Sequence, residues 1–235
     1  MKAIIKTLAI ALLFVTSSCV FVGVRGDGNV ITQTRTISSD FNAVSVSNGI
    51  EVRLTMGDAV SLSLEADENL HDIIITEVED GVLKIYAEEN IWRAKKRKVY
   101  LSATSINELR ATSGSEIISE NTISSDDLKV SVTSGADARL QLNVINLKCS
   151  TTSGADARLK GSADSFVANA TSGSNIRANE LEAKICDANV TSGADISVNV
   201  IEALDANASS GGDIRFSGNP KKVKKNSSSG GGISG

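Results

Sequence analysis

The sequence predicts an all-β fold, a single-stranded parallel β-helix with about 19–20 residues per coil and larger, hairpin-bearing coils toward its N-terminal end. Three observations carry that prediction. A short polar turn recurs down the second half of the chain, as in "VTSGADARL" from Val132 to Leu140. Its glycines, Gly114, Gly135, Gly154, Gly173, Gly193, Gly211 and Gly230, follow one another at 21, 19, 19, 20, 18 and 19 residues. Between the turns, apolar residues recur with the period of 2 that belongs to a strand, and the three-and-four spacing of a helix is missing. Seven units this regular mark a solenoid, in which each coil buries its apolar face only against its neighbours.

From the N-terminus onward, each segment finds a place in that scheme. Met1 to Lys6 carries two lysines, "TLAIALLFV" (Thr7–Val15) is an apolar run of nine residues, and "TSSC" sets small residues before Cys19. This is the layout of a secretory signal, and the run is too short to span a bilayer, which takes about 20 residues. Residues 1–18 are read as the signal peptide and 19–37 as a linker. The small residues ending in Cys19 resemble a bacterial lipobox, so Cys19 is expected to become an acylated N-terminus and a membrane anchor; the plain alternative is an ordinary signal-peptidase site. Cleavage there removes Lys2 and Lys6 and moves the formal charge from −4 to −6. A mildly acidic chain with 3% aromatic residues offers nucleic acid neither a basic field nor a stacking platform.

Residues 38–104 are expected to form the N-terminal coils. "SNGIEVRL" (Ser47–Leu54) superposes on "TSGADARL" (Thr133–Leu140), with Gly49 at the corner. Alternating segments at Val60–Leu64, Val82–Tyr86 and Val99–Leu101, with turns at "MGD" (Met56–Asp58) and "EDG" (Glu79–Gly81), suggest hairpins that bulge from the same body. "DENLHDIIITEV" (Asp67–Val78) reads as a short helix or an irregular connection, and its His71 has no Ser or Cys motif to serve. "WRAKKRK" breaks the pattern: Trp92, Arg93, Lys95, Lys96, Arg97 and Lys98 form either a patch for an anionic glycan, a lipopolysaccharide phosphate or a membrane surface, or a solvated loop whose charge discourages edge pairing.

Residues 105–220 are the regular array. Counting from each glycine, position −7 carries Leu128, Leu147, Phe166, Cys186, Leu204 and Val223, and position +3 carries Ile117, Ala138, Ala157, Ile176, Ile196 and Ile214, all read as inward-facing. The corner glycines Gly49, Gly114, Gly135, Gly154, Gly173, Gly193 and Gly211 are structural, because a corner demands backbone angles or close approaches that a side chain forbids. Cys149 and Cys186 lie two coils apart, roughly 9–10 Å, too far for a disulfide, and are read as small core residues. Position +2 carries Glu116, Asp137, Asp156, Asn175, Asp195 and Asp213. Such a ladder could bridge Ca²⁺, but Arg139, Arg158, Arg177 and Arg215 at +4 make a solvated charge network the better reading. No paired His and no CxxC spacing suggests a metal, and no cofactor or catalytic motif is present. Residues 221–235, with four lysines followed by Gly and Ser, are expected to be a flexible tail capping the last coil.

The leader, "FNAVSVSNGIEVRLTMGD" (Phe41–Asp58), "EVEDGVLKIYAEE" (Glu77–Glu89) and the TSG array together resemble the putative auto-transporter adhesin, head GIN domain family of Gram-negative envelope proteins, over roughly residues 38–220. The resemblance implies a right-handed parallel β-helix exported to the cell envelope, with adhesion as the family label and no catalytic or ligand residues to transfer. Three function classes follow: an envelope lipoprotein that binds a glycan or a host or envelope protein through a solenoid face carrying Thr133, Thr152, Thr171 and Thr191 beside the Asp and Arg files; a structural or assembly module that self-associates or docks a partner; and a polysaccharide-active enzyme. The third is the weakest, since fold alone does not license it and every carboxylate of the array belongs to the repeat rather than to an isolated pair.

Overall fold

The structure, a computed structural model, describes residues 23–235, and the signal segment and Cys19 lie outside them. The chain is a parallel β-helix. Its array runs through β11 (Glu116–Thr133), β12 (Asp137–Thr152), β13 (Asp156–Ala170), β14 (Asn175–Val190) and β15 (Asp195–Ala208), each paired in parallel with the next at one repeat. The register stacks like on like. Leu128, Leu147, Phe166, Cys186 and Leu204 form one inward file, and Ile117, Ala138, Ala157, Ile176, Ile196 and Ile214 another, all buried. Within the first file the largest side chain, Phe166, stands in register with the smallest, Cys186, on the next rung.

The recurring corner is a type I′ turn. In Thr133-Ser134-Gly135-Ala136 the two central residues have φ of 56° and 69°, and the Ala136 N–H donates to the Thr133 carbonyl at 3.2 Å. Each corner is also tied to the next, because the Gly135 N–H donates to Ser153 O at 3.0 Å and the Gly154 N–H to Ser172 O at 3.2 Å. A Cβ added at Gly114, Gly135, Gly154, Gly173, Gly193 or Gly211 would meet nothing within 4 Å. Of the two sequence-level reasons for these glycines, then, backbone angle applies and close approach does not. The serine before each glycine also sits in the left-handed region, where a Cβ is unwelcome. The first corner uses Asn48 there, at φ 59°, and asparagine tolerates that region far better. Ser153→Asn is therefore expected to raise stability by about 0.5–1 kcal/mol, read as a higher urea midpoint with an unchanged slope.

The uneven repeat length has a structural outlet. Between Ile118 and Thr122 strand β11 carries two residues more than its partner, and β14 carries one more between Arg177 and Glu180. These bulges absorb the 21- and 20-residue intervals at one bend of the coil and leave the corners in line.

The N-terminal part departs from simple coiling. Strands β3 (Ala43–Val46) and β4 (Glu51–Met56) flank the Gly49 corner and form a coil of the solenoid, as the superposed sequence implies. That coil is sandwiched between two later ones. β3 lies between β7 (Val82–Ala87) and β10 (Glu108–Ala111), and β4 between β9 (Arg97–Ala103) and β11. Antiparallel pairings close this end: β6 (Ile74–Glu79) on β7 through the Asp80–Gly81 turn, β5 (Ser61–Asp67) on β9, and β2 (Val30–Arg35) on β5. The stretch 23–37, expected as linker, is thus partly strand, with β1 (Val24–Arg25) also paired in parallel with β8 (Ile91–Arg93). Of "DENLHDIIITEV", only Glu68–Leu70 forms a 3₁₀ turn. His71 packs between elements, its Nδ1 at 3.2 Å from Gln33 Oε1 and its Nε2 at 3.3 Å from Ile31 O.

At the other end the array closes with β16 (Asp213–Ser217), and where the sequence suggests a flexible tail, β17 (Lys222–Ser227) and β18 (Gly232–Ser234) add a further rung. β17 pairs in parallel with β15 and β18 with β16, around a corner at Gly230. The parallel register outweighs the polar composition, because the backbone ladder does not depend on side chains. β17 is exposed along its length, and its lysines at 222, 224 and 225 guard an otherwise open edge.

Cys149 and Cys186 are free and buried. Burial pushes both thiols up to about 12, so neither supplies a thiolate at neutral pH. A thiol reagent at about pH 8 is expected to leave both unlabelled in the native protein and to modify both in denaturant. Labelling of either in the folded state would contradict the rung assignment.

Candidate functional site

Three surface features flank the corner files. The first is a groove of about 640 Å³ that runs along the helix axis over six rungs, from Ser131–Thr133 to Asn226–Ser228. The outward residues four before each corner glycine form one wall, Ser131 and Ser150 followed by Asn169, Asn189, Asn207 and Asn226; those two before it form the other, Thr133, Thr152, Thr171, Thr191, Ser209 and Ser228. The buried residues between them, among them Val132, Thr151, Ala170 and Val190, make the floor. No lining residue carries a charge.

The two walls differ chemically. The asparagines hydrogen-bond each other in a ladder: Asn189 donates to Asn169 at 3.3 Å, Asn207 to Asn189 at 3.0 Å and Asn226 to Asn207 at 2.7 Å. Their amides are held in one orientation by neighbouring rungs. The threonines at 133, 152, 171 and 191 reach the adjacent serine hydroxyls at 3.4–3.5 Å, at the limit of a hydrogen bond, and Thr191 alone among them also accepts from the Ser209 hydroxyl at 3.1 Å. Their hydroxyls therefore retain donor and acceptor capacity, and they repeat at the rung spacing of about 4.8 Å.

The second feature is the acid and arginine files at +2 and +4, which lie on the other side of the corner. Sequence reasoning sets the threonines beside these files; the sharp turn instead gives them separate faces, and the threonines share theirs with the asparagines. Arginines reach mainly to the acid of the preceding coil: Arg139 to Glu116 at 2.7 Å, Arg177 to Asp156, and Arg215 to Asp195 at 3.6 Å, while Arg158 reaches Asp156 on its own coil at 3.5 Å. The stagger resolves the one sequence-level difficulty, Asp195 with Ser197 at +4, by supplying Arg215 from the next rung. The same arrangement continues into the N-terminal coils, where Arg53 and Lys98 pair with Glu51, and Arg110 and Lys129 with Glu108. The hydrogen bond from Arg110 holds the Glu108 carboxyl below its ordinary range. Among the described residues, no group of three or more His, Cys, Asp or Glu side chains is arranged to hold a metal ion.

The third feature is the basic loop, which takes the place of a corner in the terminal coil. Its six residues divide. Arg97 is half-buried and donates to Asn48 O at 3.2 Å and Ile91 O at 3.4 Å, with its guanidinium laid against Gly49. In the array each serine carbonyl receives a glycine N–H from the coil before; Asn48 has no such donor, and Arg97 supplies it. Lys98 pairs with Glu51 at 3.1 Å and lies 5.9 Å from the Tyr100 ring. Trp92, Arg93, Lys95 and Lys96 are exposed. Asp67, fully buried, fixes the loop by accepting the Lys95 N–H at 2.6 Å.

Sequence reasoning singled out the threonine file and the basic run but not the asparagine file, although the alignment on glycine contains it. Asp67 and the capping role of Arg97 could not be read from the chain, since both depend on contacts across 28 and 49 residues.

Comparisons with known proteins agree with this geometry. The family described as "Putative auto-transporter adhesin, head GIN domain" matches residues 40–220. No curated protein matches the chain by sequence. Among solved structures, a putative adhesin from Bacteroides fragilis superposes with a TM-score of 0.83 at 20% identity, covering 90% of this chain and 99% of its own. A putative lipid binding protein from Parabacteroides distasonis gives 0.72 at 23% identity over 90% and 98%. A putative adhesin from Parabacteroides merdae gives 0.70 at 20% identity over 90% and 98%. At such identities the likeness establishes the fold.

Proposed function

The chain belongs to the putative auto-transporter adhesin, head GIN domain family, and from that premise we propose that it is a non-enzymatic binding module of the cell envelope, anchored through Cys19, that engages an extended, uncharged, hydroxyl-rich polymer of polysaccharide type along the threonine and asparagine files. The observation that carries this reading is the groove itself. It is long, open at the surface, uncharged, and lined by hydroxyls at a constant repeat, which suits a polymer with its own axial repeat better than a compact ligand. Ordered side chains on a rigid sheet also lose little entropy on binding.

Affinity electrophoresis through gels containing neutral polysaccharides tests the assignment. Retardation is expected for the native protein and is expected to vanish in a Thr152→Lys/Thr171→Lys/Thr191→Lys variant that melts at the same temperature. Retardation that survives the triple change removes the groove from the reading, and retardation by no neutral polymer removes the ligand class. Protease treatment of intact cells addresses the adhesive role: digestion supports an outward-facing module, whereas protection until the outer membrane is opened supports a periplasmic one.

A second reading, self-association, is favoured by one feature of the same groove. An uncharged strip repeating on every rung is complementary to another copy in many registers. Light scattering on the eluted protein separates the two, because a dimer abolished by the triple variant would assign the groove to assembly.

A further inference from the structure

We propose that the exposed part of the basic loop, Trp92, Arg93, Lys95 and Lys96, is a docking surface for an anionic lipid bilayer, and that it rests on the membrane to which the N-terminus leads. The first argument is position. β1 runs alongside β8, with Val24 N–H on Asn90 O at 2.8 Å and Gly26 N–H on Arg93 O at 2.7 Å. The described chain therefore begins beside the loop. Val24 is five residue steps after Cys19, and five fully extended steps span at most about 18 Å. An acyl anchor at Cys19 would hold this face, and no other, within reach of the bilayer.

The second argument is composition. Trp92 is 48% exposed and is the only tryptophan of the chain, and an amphipathic indole beside cationic side chains is the pairing that settles at a membrane interface. Arg93, Lys95 and Lys96 are exposed and form no ion pair among the described residues, whereas Lys98 and most array arginines are neutralised by a carboxylate. Glu88 and Glu89 stand shortly before the loop and the chain as a whole is acidic; the other exposed lysine cluster, at 221–225, lies on the C-terminal rung, so of the two basic ends only the loop adjoins β1.

The third argument is preorganisation. The Asp67 carboxylate holds the backbone of Lys95 from within, and Arg97 ties the loop base to the Asn48 carbonyl and the Gly49 surface. The exposed side chains are thus presented from a fixed backbone, and docking orders only their tips.

Trp92 provides the test, since all tryptophan emission reports the loop. The protein purified from its native membrane is mixed with phosphatidylethanolamine/phosphatidylglycerol vesicles bearing brominated acyl chains, and with phosphatidylcholine vesicles bearing the same chains. Emission is expected to shift to shorter wavelength and to be quenched at least threefold more on the anionic vesicles. Arg93→Glu/Lys95→Glu/Lys96→Glu is expected to lose that quenching at an unchanged melting temperature. Emission that stays unchanged on anionic vesicles overturns the proposal, as does quenching equal on both lipids and indifferent to charge reversal. A shift produced equally by soluble dextran sulfate would reassign the loop to anionic polymers and overturn it as well. The orientation rests on the anchored reading, but flotation of the protein with vesicles reports the anchor and Trp92 emission reports the loop, so the two can fail separately.

Discussion

Replacing Gly161 by alanine is expected to destabilise the protein by about 3 kcal/mol or more, far beyond the effect at any corner glycine. Gly161 lies in β13 opposite Leu142, at φ 113°, and a Cβ there would stand 2.0 Å from the Leu142 carbonyl oxygen. Relief requires moving one rung's backbone away from the next, which breaks ladder hydrogen bonds on both sides. At Gly154 the added methyl meets open space, and only the left-handed φ of 71° resists it, a cost of about 1–2 kcal/mol. Urea unfolding of both variants checks the contrast. Equal midpoints would mean that the rungs separate easily at the bend, and the stacking described for β12 and β13 would need revision.

Phe166→Ala is expected to cost about 3–5 kcal/mol. Phe166 is the largest of the fully buried side chains and stands in register with Leu147 on one side and Cys186 on the other. Neither neighbour can fill the void without leaving its own rung. Because a solenoid coil contacts only adjacent coils, the loss should also be local in character. Hydrogen exchange is expected to accelerate from β13 through the C-terminal rung while the N-terminal coils keep their protection. Uniform acceleration would indicate a single cooperative unit, and a cost below about 1 kcal/mol would indicate a core able to collapse around the missing ring.

The array was readable from the chain because every coil repeats the same local decision. Position +3 is apolar in all seven units and position −7 in the second to seventh, and a fault in one unit is corrected by the others. The corner motif likewise announced itself seven times. What escaped was everything that occurs once. The asparagine ladder is present in the same alignment, at position −4, but as polar residues without a partner legible in the chain. Gly161 sits outside the motif and gave no sign that it was the more constrained glycine. The separation of the threonines from the acid and arginine files followed from the tightness of a two-residue turn, which sequence distance does not convey. Order along the chain also concealed order in space for the N-terminal coils, because alternation identifies a strand and says nothing of its partner. The C-terminal rung was underestimated because composition argued against it, while backbone pairing on an existing edge requires little of the side chains.

The sandwiched coil has a consequence for the order of events as the chain emerges N-terminus first. β3 and β4 precede every strand that flanks them: their partners on one side are β7 and β9, and on the other β10 and β11. No partial chain ending before Val82 can complete even one of these pairings, so Val44, Val46, Val52 and Leu54 travel unpaired until more than 25 further residues have followed Met56. Each later coil, by contrast, finds its template already in place. Synthesis thus passes through one exposed interval near the beginning and then zips forward coil by coil, which makes the first 120 residues or so the stretch where a holding chaperone would matter and the remainder the stretch where it would not.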